Sequence, residues 1–116
     1  MKRLAIYAAA AAALMPLLAA AQSAPVAGDP NNGAQKVAMC QGCHGIVGWR
    51  TAFPEVYRVP KLSGQSQQYI VLALKAYKSG ERGHPTMKAI AASLSDADMA
   101  DVAAYFSQAP LTTALK

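Results

Sequence analysis

The chain has 116 residues with 11 basic and 6 acidic side chains, a formal net charge of +5. Its two cysteines lie three residues apart. A disulfide there would close a loop too small to remove much entropy from the unfolded chain, which excludes a disulfide framework. A domain this small has only a modest core, so its stabiliser must come from elsewhere.

Lys2 and Arg3 are followed by the uncharged run "LAIYAAAAAALMPLLAAA" and then by small polar residues. A basic start, an apolar stretch and small residues at its end read as a secretory signal peptide, residues 1–21, cleaved after Ala21 or Ser23. The alternative is an anchor that stays in place, but the run is Ala-rich and only weakly apolar. Export implies a periplasmic protein. Removing residues 1–21 leaves 95 residues with 9 basic and 6 acidic side chains, a net charge of +3.

Residues 22–30 read as a flexible lead and residues 31–110 as one domain, with 111–116 a C-terminal tail. "NNGAQKVAMCQGCHG" predicts one helix, capped by Asn31 or Asn32 and ended by Gly45. From Ile46 to Gly64 no helical period is present. The segment contains Gly48, Pro54, Pro60 and Gly64 and predicts a long loop, unusual in a small domain unless it wraps something. "SQQYIVLALKAYKSGER" predicts a second helix, capped by Ser66 and stopped by Gly80. Ile70, Ala73, Leu74 and Tyr77 fall on one face of it.

After the loop "GERGHPT", the segment "MKAIAASL" predicts two turns of helix. "SDADMADVAAYFSQA" predicts the last helix, with Ser95 as N-cap and Asp98 at the capping-box position. Asp96, Asp98 and Asp101 favour its positive start. Met99, Val102, Ala103 and Phe106 form its apolar stripe. No alternating run is long enough for a sheet, so the chain reads as all-α, with three to four helices.

Three chemistries compete for Cys40-Gln41-Gly42-Cys43-His44. A thiol–disulfide site usually sits at a strand-to-helix junction, and no strands are predicted. A tetrahedral zinc site needs a second ligand pair, and the only other His or Cys is His84. Covalent haem fits better. Positions i and i+3 share a helix face, so Cys40 and Cys43 can form thioethers with the two vinyl groups of one porphyrin, and His44 is then aimed at the iron. C-x-x-C-H is the signature of that attachment. A porphyrin serving as core also accounts for the long loop.

The candidates for the sixth iron position are Met39, Met87, Met99 and His84. Met39 precedes Cys40 on the proximal side. Met99 lies on the apolar stripe of the last helix, where core packing is its preferred role. Met87 follows a Gly- and Pro-containing loop that can drape over the distal face. It is favoured over His84, three residues earlier, because a Met/His pair suits an electron carrier. A ligating His normally donates its other ring N–H to an acceptor. The Pro60 carbonyl, in a stiff part of the loop, is a candidate partner, although Pro60 also fits a plain loop proline.

In order, "GAQKVAMCQGCHG", "VPKLSGQ", "YIVLALKAYKSGER" and "TMKAIAASLSDADMADVAAYF" resemble the class I c-type cytochromes. The resemblance is to the short bacterial kind that also forms the halves of dihaem cytochromes, and it covers about residues 28–108. It implies that the first and last helices cross at Gly33, near Tyr105 or Phe106. It also implies that Cys40 and Cys43 carry one haem c, that His44 and Met87 ligate its iron, and that the Pro60 carbonyl orients His44. The stretch "IVGWRTAFPEVYR" departs from the pattern; Trp49 in it either walls the haem or faces a partner, with packing the favoured reading.

Six strong ligands leave no open site, so the implied function is one-electron transfer between redox proteins of a respiratory chain, not enzymatic turnover. The donor would be a dehydrogenase or quinol-oxidising complex and the acceptor an oxidase or reductase. A gas sensor or enzyme with an open sixth site is the alternative, as is a cytochrome subunit of a periplasmic dehydrogenase. Lys61, Arg82 and Lys88 are candidates for a basic docking rim.

Overall fold

The computed structural model describes residues 27–52 and 56–109. The expected signal peptide, most of the lead and the tail lie outside the described residues. Among the described residues there are five helices and one two-stranded ribbon: α1 (Pro30–Lys36), α2 (Ala38–His44), β1 (Arg50–Thr51), β2 (Tyr57–Arg58), α3 (Gln67–Ser79), α4 (Pro85–Ala92) and α5 (Asp96–Gln108). No helix among them is long and apolar enough to cross a membrane.

The first helix starts earlier than expected. Asp29, not Asn31 or Asn32, is its N-cap, with its carboxylate accepting from the Asn31 amide at 2.8 Å. Pro30 follows at the first helical position, where its missing N–H costs nothing. The single helix expected over residues 31–45 is two. The break is at Val37, whose carbonyl accepts from the amides of both Cys40 and Gln41 at 2.9 Å. The Val37 side chain is buried in the core, in one cluster with residues of α3, α4 and α5.

Helix α1 crosses α5 at the expected glycine. A Cβ on Gly33 would lie 2.2 Å from the Asp101 carbonyl oxygen and 2.8 Å from Tyr105 Cβ. Polar contacts lock the crossing. Lys36 Nζ pairs with Asp98 at 2.7 Å and Asp101 at 2.8 Å. Asp101 also accepts from the Asp29 amide at 2.8 Å, and Gln41 donates to the Tyr105 hydroxyl at 3.0 Å. Phe106, the other residue considered for this crossing, belongs to the core.

Ser66 caps α3, and Gly80 ends it in the left-handed region at φ 88°. Ser95 and Asp98 form the expected capping box of α5. Helix α4 begins at Pro85, two residues before the predicted start, with His84 as its cap. The loop from Ile46 to Gly64 is not structureless. Thr51 pairs with Tyr57 and Arg50 with Arg58 in an antiparallel ribbon, which the Val59 amide extends by donating to the Trp49 carbonyl at 3.0 Å. Strands of two residues are too short to show an alternating pattern.

Core residues come from α3, α4 and α5, with Val37: Ile70, Val71, Leu74, Ala91, Met99, Val102, Ala103 and Phe106. Ala91 and Ala103 bury little surface, and even a large side chain contributes only about 1.5–3 kcal/mol when fully buried. The protein part of the core is therefore thin. Half-buried Cys40, Leu62, Tyr77, Met87 and Leu94 pack on one side of it and open onto a cleft.

Candidate haem site

The cleft is walled by every structural unit except α1. Helix α2 contributes Met39, Cys40, Cys43 and His44; the loop and ribbon contribute Thr51, Tyr57, Val59, Pro60 and Leu62. The long helices α3 and α5 supply Ile70, Leu74 and Val102, and α4 brings Met87 and Ile90. The lining is mostly apolar, as a porphyrin face requires. Its charged groups among the described residues, Lys61 and Arg82, are basic, and no described Asp or Glu lines it.

Cys40 is half-buried and Cys43 exposed, both on the short helix α2 and both on the cleft wall. Burial holds the Cys40 thiol above its ordinary value, and neighbouring Cys43 adds to this. A raised thiol is the opposite of the activated thiolate that disulfide exchange uses. Among the described residues no group of three or more His, Cys, Asp or Glu side chains converges as a zinc site needs. The donor set of the cleft, two thiols, imidazole and thioether, suits haem iron and its attachment.

His44 lies 2.7 Å, through Nδ1, from the Pro60 carbonyl oxygen. A carbonyl can only accept, so Nδ1 carries the proton. That leaves Nε2 with its lone pair free, the tautomer a metal ligand needs. Burial lowers the His44 pKa, opposed by the Pro60 hydrogen bond, while His84 lowers it further. Burial thus favours the neutral ring, and the Pro60 bond selects which nitrogen carries the proton.

The four sixth-position candidates occupy different places. Met99 is fully buried in the core at 0% exposure and does not line the cleft. Met39 does line it but stands beside Cys40 on α2, with its side chain 57% exposed. Met87 and His84 both enter from the start of α4. His84 is engaged elsewhere. Its Nδ1 accepts from the Met87 amide at 3.3 Å, capping the helix. Its ring also meets Tyr57 edge-on at 5.5 Å and Tyr77 at 6.4 Å. The sequence signal for this role is His84-Pro85, a cap before a proline at the first helical position.

Arg82 sits over the Tyr77 ring at 5.0 Å and beside Tyr69, whose hydroxyl it reaches at 3.4 Å. Its aromatic contacts hold it at the cleft with Lys61, whereas Lys88 lies outside the lining. Trp49 does not pack as expected. It is 42% exposed, and a turn closed by its own amide on the Ile46 carbonyl, with Gly48 at φ 74°, carries it to the base of the ribbon.

The family model for cytochrome c matches residues 31–110. Cytochrome c-554(548) of Halomonas halodenitrificans is 42% identical over 84 residues, covering 70% of this chain and 96% of that protein. Cytochrome c4 of Pseudomonas aeruginosa is 36% identical over 92 residues, 79% of this chain but 44% of its relative. The chain thus spans less than half the length of the cytochrome c4 relatives it matches. The crystal structure of reduced recombinant cytochrome c4 from Pseudomonas stutzeri superposes with a TM-score of 0.58 at 36% identity, over 72% of this chain and 47% of that one. Cys40 and Cys43 fit the C-x-x-C-H attachment motif of this family. With the helical fold, the apolar cleft and the matched residues, the chain belongs to the cytochrome c family, class I, whose cofactor is covalently bound haem c.

Proposed function

We propose that the chain is a periplasmic one-electron carrier, with Cys40 and Cys43 as haem thioethers and His44 and Met87 as axial ligands. Haem, when bound, supplies an iron that gains or loses one electron. The chain's own residues set the conditions. The observation that carries the reading is the bond from His44 Nδ1–H to the Pro60 carbonyl at 2.7 Å, which fixes the ring and leaves Nε2 as the ligand atom. Met87, held by the capped start of α4, offers the soft thioether of an electron carrier.

The apolar side chains of α3, α4 and α5 exclude water, so charge at the cleft changes with little solvent rearrangement. A cleft closed by Met87 leaves no position for substrate, which favours a carrier over an enzyme or a gas sensor. Partners of such a carrier are redox proteins that donate and accept single electrons.

Carbon monoxide titration of the reduced protein tests this. The wild type should bind it slowly or negligibly near neutral pH while exchanging electrons quickly with small mediators. Met87→Ala should bind it readily and lose the weak red-end absorption of Met sulfur on ferric iron. Rapid, stoichiometric binding by the wild type would overturn the carrier reading.

A further inference from the structure

The ribbon has two faces. Thr51, Tyr57 and Val59 line the cleft. Side chains alternate along a strand, so Arg50 and Arg58 occupy the opposite, outer face. They are direct register partners. The Val59 amide donates to the Trp49 carbonyl, which makes Trp49–Val59 a hydrogen-bonded pair and Arg50–Arg58 the neighbouring non-hydrogen-bonded one. In pairs of that second kind the opposing side chains come closest.

Like charges placed directly opposite destabilise a ribbon. Both arginines are exposed, and the ion pairs among the described residues engage Lys36 and Lys75 instead. Folding alone does not call for this arrangement. Val56, 71% exposed, lies on the same face as Arg58, and at the ribbon's base Trp49, the partner of Val59, is exposed on the other side. Arginine is among the residues enriched at protein–protein interfaces and their hot spots. Recognition of an anionic membrane takes a larger cluster, about four to eight basic residues, and the ribbon has two.

We propose that the outer face of the ribbon, Arg50 and Arg58 with Val56, is a docking surface for an acidic redox protein that presents adjacent carboxylates. The redox nature of the partner rests on the electron-carrier reading. Each guanidinium can take a carboxylate through two parallel N–H···O bonds. The incoming negative charges also relieve the repulsion between the two arginines, so the pair binds better than two independent exposed charges. A partner seated there is one strand layer from the cleft, because the next residues along, Thr51 and Tyr57, form the cleft wall.

The test uses the intact reduced haem protein, labelled with nitrogen-15, and hexaglutamate as the probe at low ionic strength. Trp49 is the single tryptophan of the chain, so its indole N–H is one unambiguous reporter. The Trp49 indole and the amides of Arg50, Tyr57 and Arg58 should shift. The R50Q/R58Q double variant, with unchanged haem absorption, should bind about tenfold more weakly. Shifts confined to the surroundings of Lys61 and Arg82 overturn the proposal. So does equal affinity in the double variant, or binding to anionic lipid vesicles in preference to hexaglutamate.

Electron exchange with a neutral mediator is measured in parallel. A wild type that binds hexaglutamate at the ribbon but exchanges no electrons removes the carrier reading and leaves the acidic-partner surface standing. One that exchanges electrons without any shift at the ribbon removes the docking surface and leaves the carrier.

Discussion

The backbone amide of Met87 donates to His84 Nδ1 at 3.3 Å, so the residue that opens α4 also fixes the backbone of the residue proposed to bind iron. Losing an N-cap costs about 0.5–2 kcal/mol of helix stability. In this short helix that cost falls on the turn holding Met87. His84→Ala should therefore weaken the red-end absorption of the ferric protein and speed carbon monoxide binding by the ferrous one, without abolishing either state. His84→Asn, which can still cap, should restore both. If His84→Ala leaves both properties as in the wild type, the cap does not position Met87; if Met87→Ala leaves the red-end band in place, Met87 is not the ligand.

Two glycines on neighbouring helices give opposite expectations. Gly33 meets Asp101 and Tyr105 at distances no Cβ can occupy. Gly33→Ala must push α1 away from α5, and overpacking of this kind costs about 1–3 kcal/mol or more. Gly42, also helical, has nothing within 4 Å of its would-be Cβ. Gly42→Ala should be neutral or stabilise by about 0.5–1 kcal/mol, through the lower backbone entropy of Ala in a helix. Thermal unfolding of the two haem-loaded variants checks this, and the order reversed would contradict the close crossing.

Much of this arrangement is legible in the sequence because it is encoded locally. Cys40, Cys43 and His44 fall on one short helix by spacing alone. Ser66, Gly80, Ser95 and Asp98 act where their side-chain chemistry says they should. What the sequence hides is decided by neighbours distant along the chain. Asn31 and Asn32 are good caps in isolation, but Asp29 stands beside the proline, and its amide is bound by Asp101 from the other end of the chain. Nothing in "AQKVAMC" marks a break at Val37; the joint goes with burial of that side chain in the core that α3, α4 and α5 form. The ribbon is too short to leave a period, and the exposure of Trp49 and the facing of Arg50 and Arg58 are hidden with it. His84 reads by its chemistry as a candidate ligand, whereas its capping role depends on where α4 begins.

The acid behaviour should trace to the crossing of α1 and α5. Asp98 is held well below the usual carboxylate range, first by its hydrogen bond to Lys36, then by the Ser95 hydroxyl and amide. Asp101 is lowered first by Lys36 and then by the Asp29 amide. A carboxylate whose folded pKa is depressed binds fewer protons folded than unfolded, so its contribution is complete above the ordinary value of 3.8. That contribution is lost as pH falls through the folded values. Lys36 is the shared cause, and Lys36→Met removes it while Ser95 and the Asp29 amide remain. The variant should unfold at a lower temperature than the wild type near pH 7, and the gap should narrow as the solution is acidified below about pH 4. The groups reach solvent, so added salt should narrow the gap at neutral pH as well. Unfolding midpoints of both haem-loaded proteins across this range decide the matter. A gap that stays constant from neutral to acid pH would mean that Lys36 acts through the packing of its chain against α5 and not through its charge.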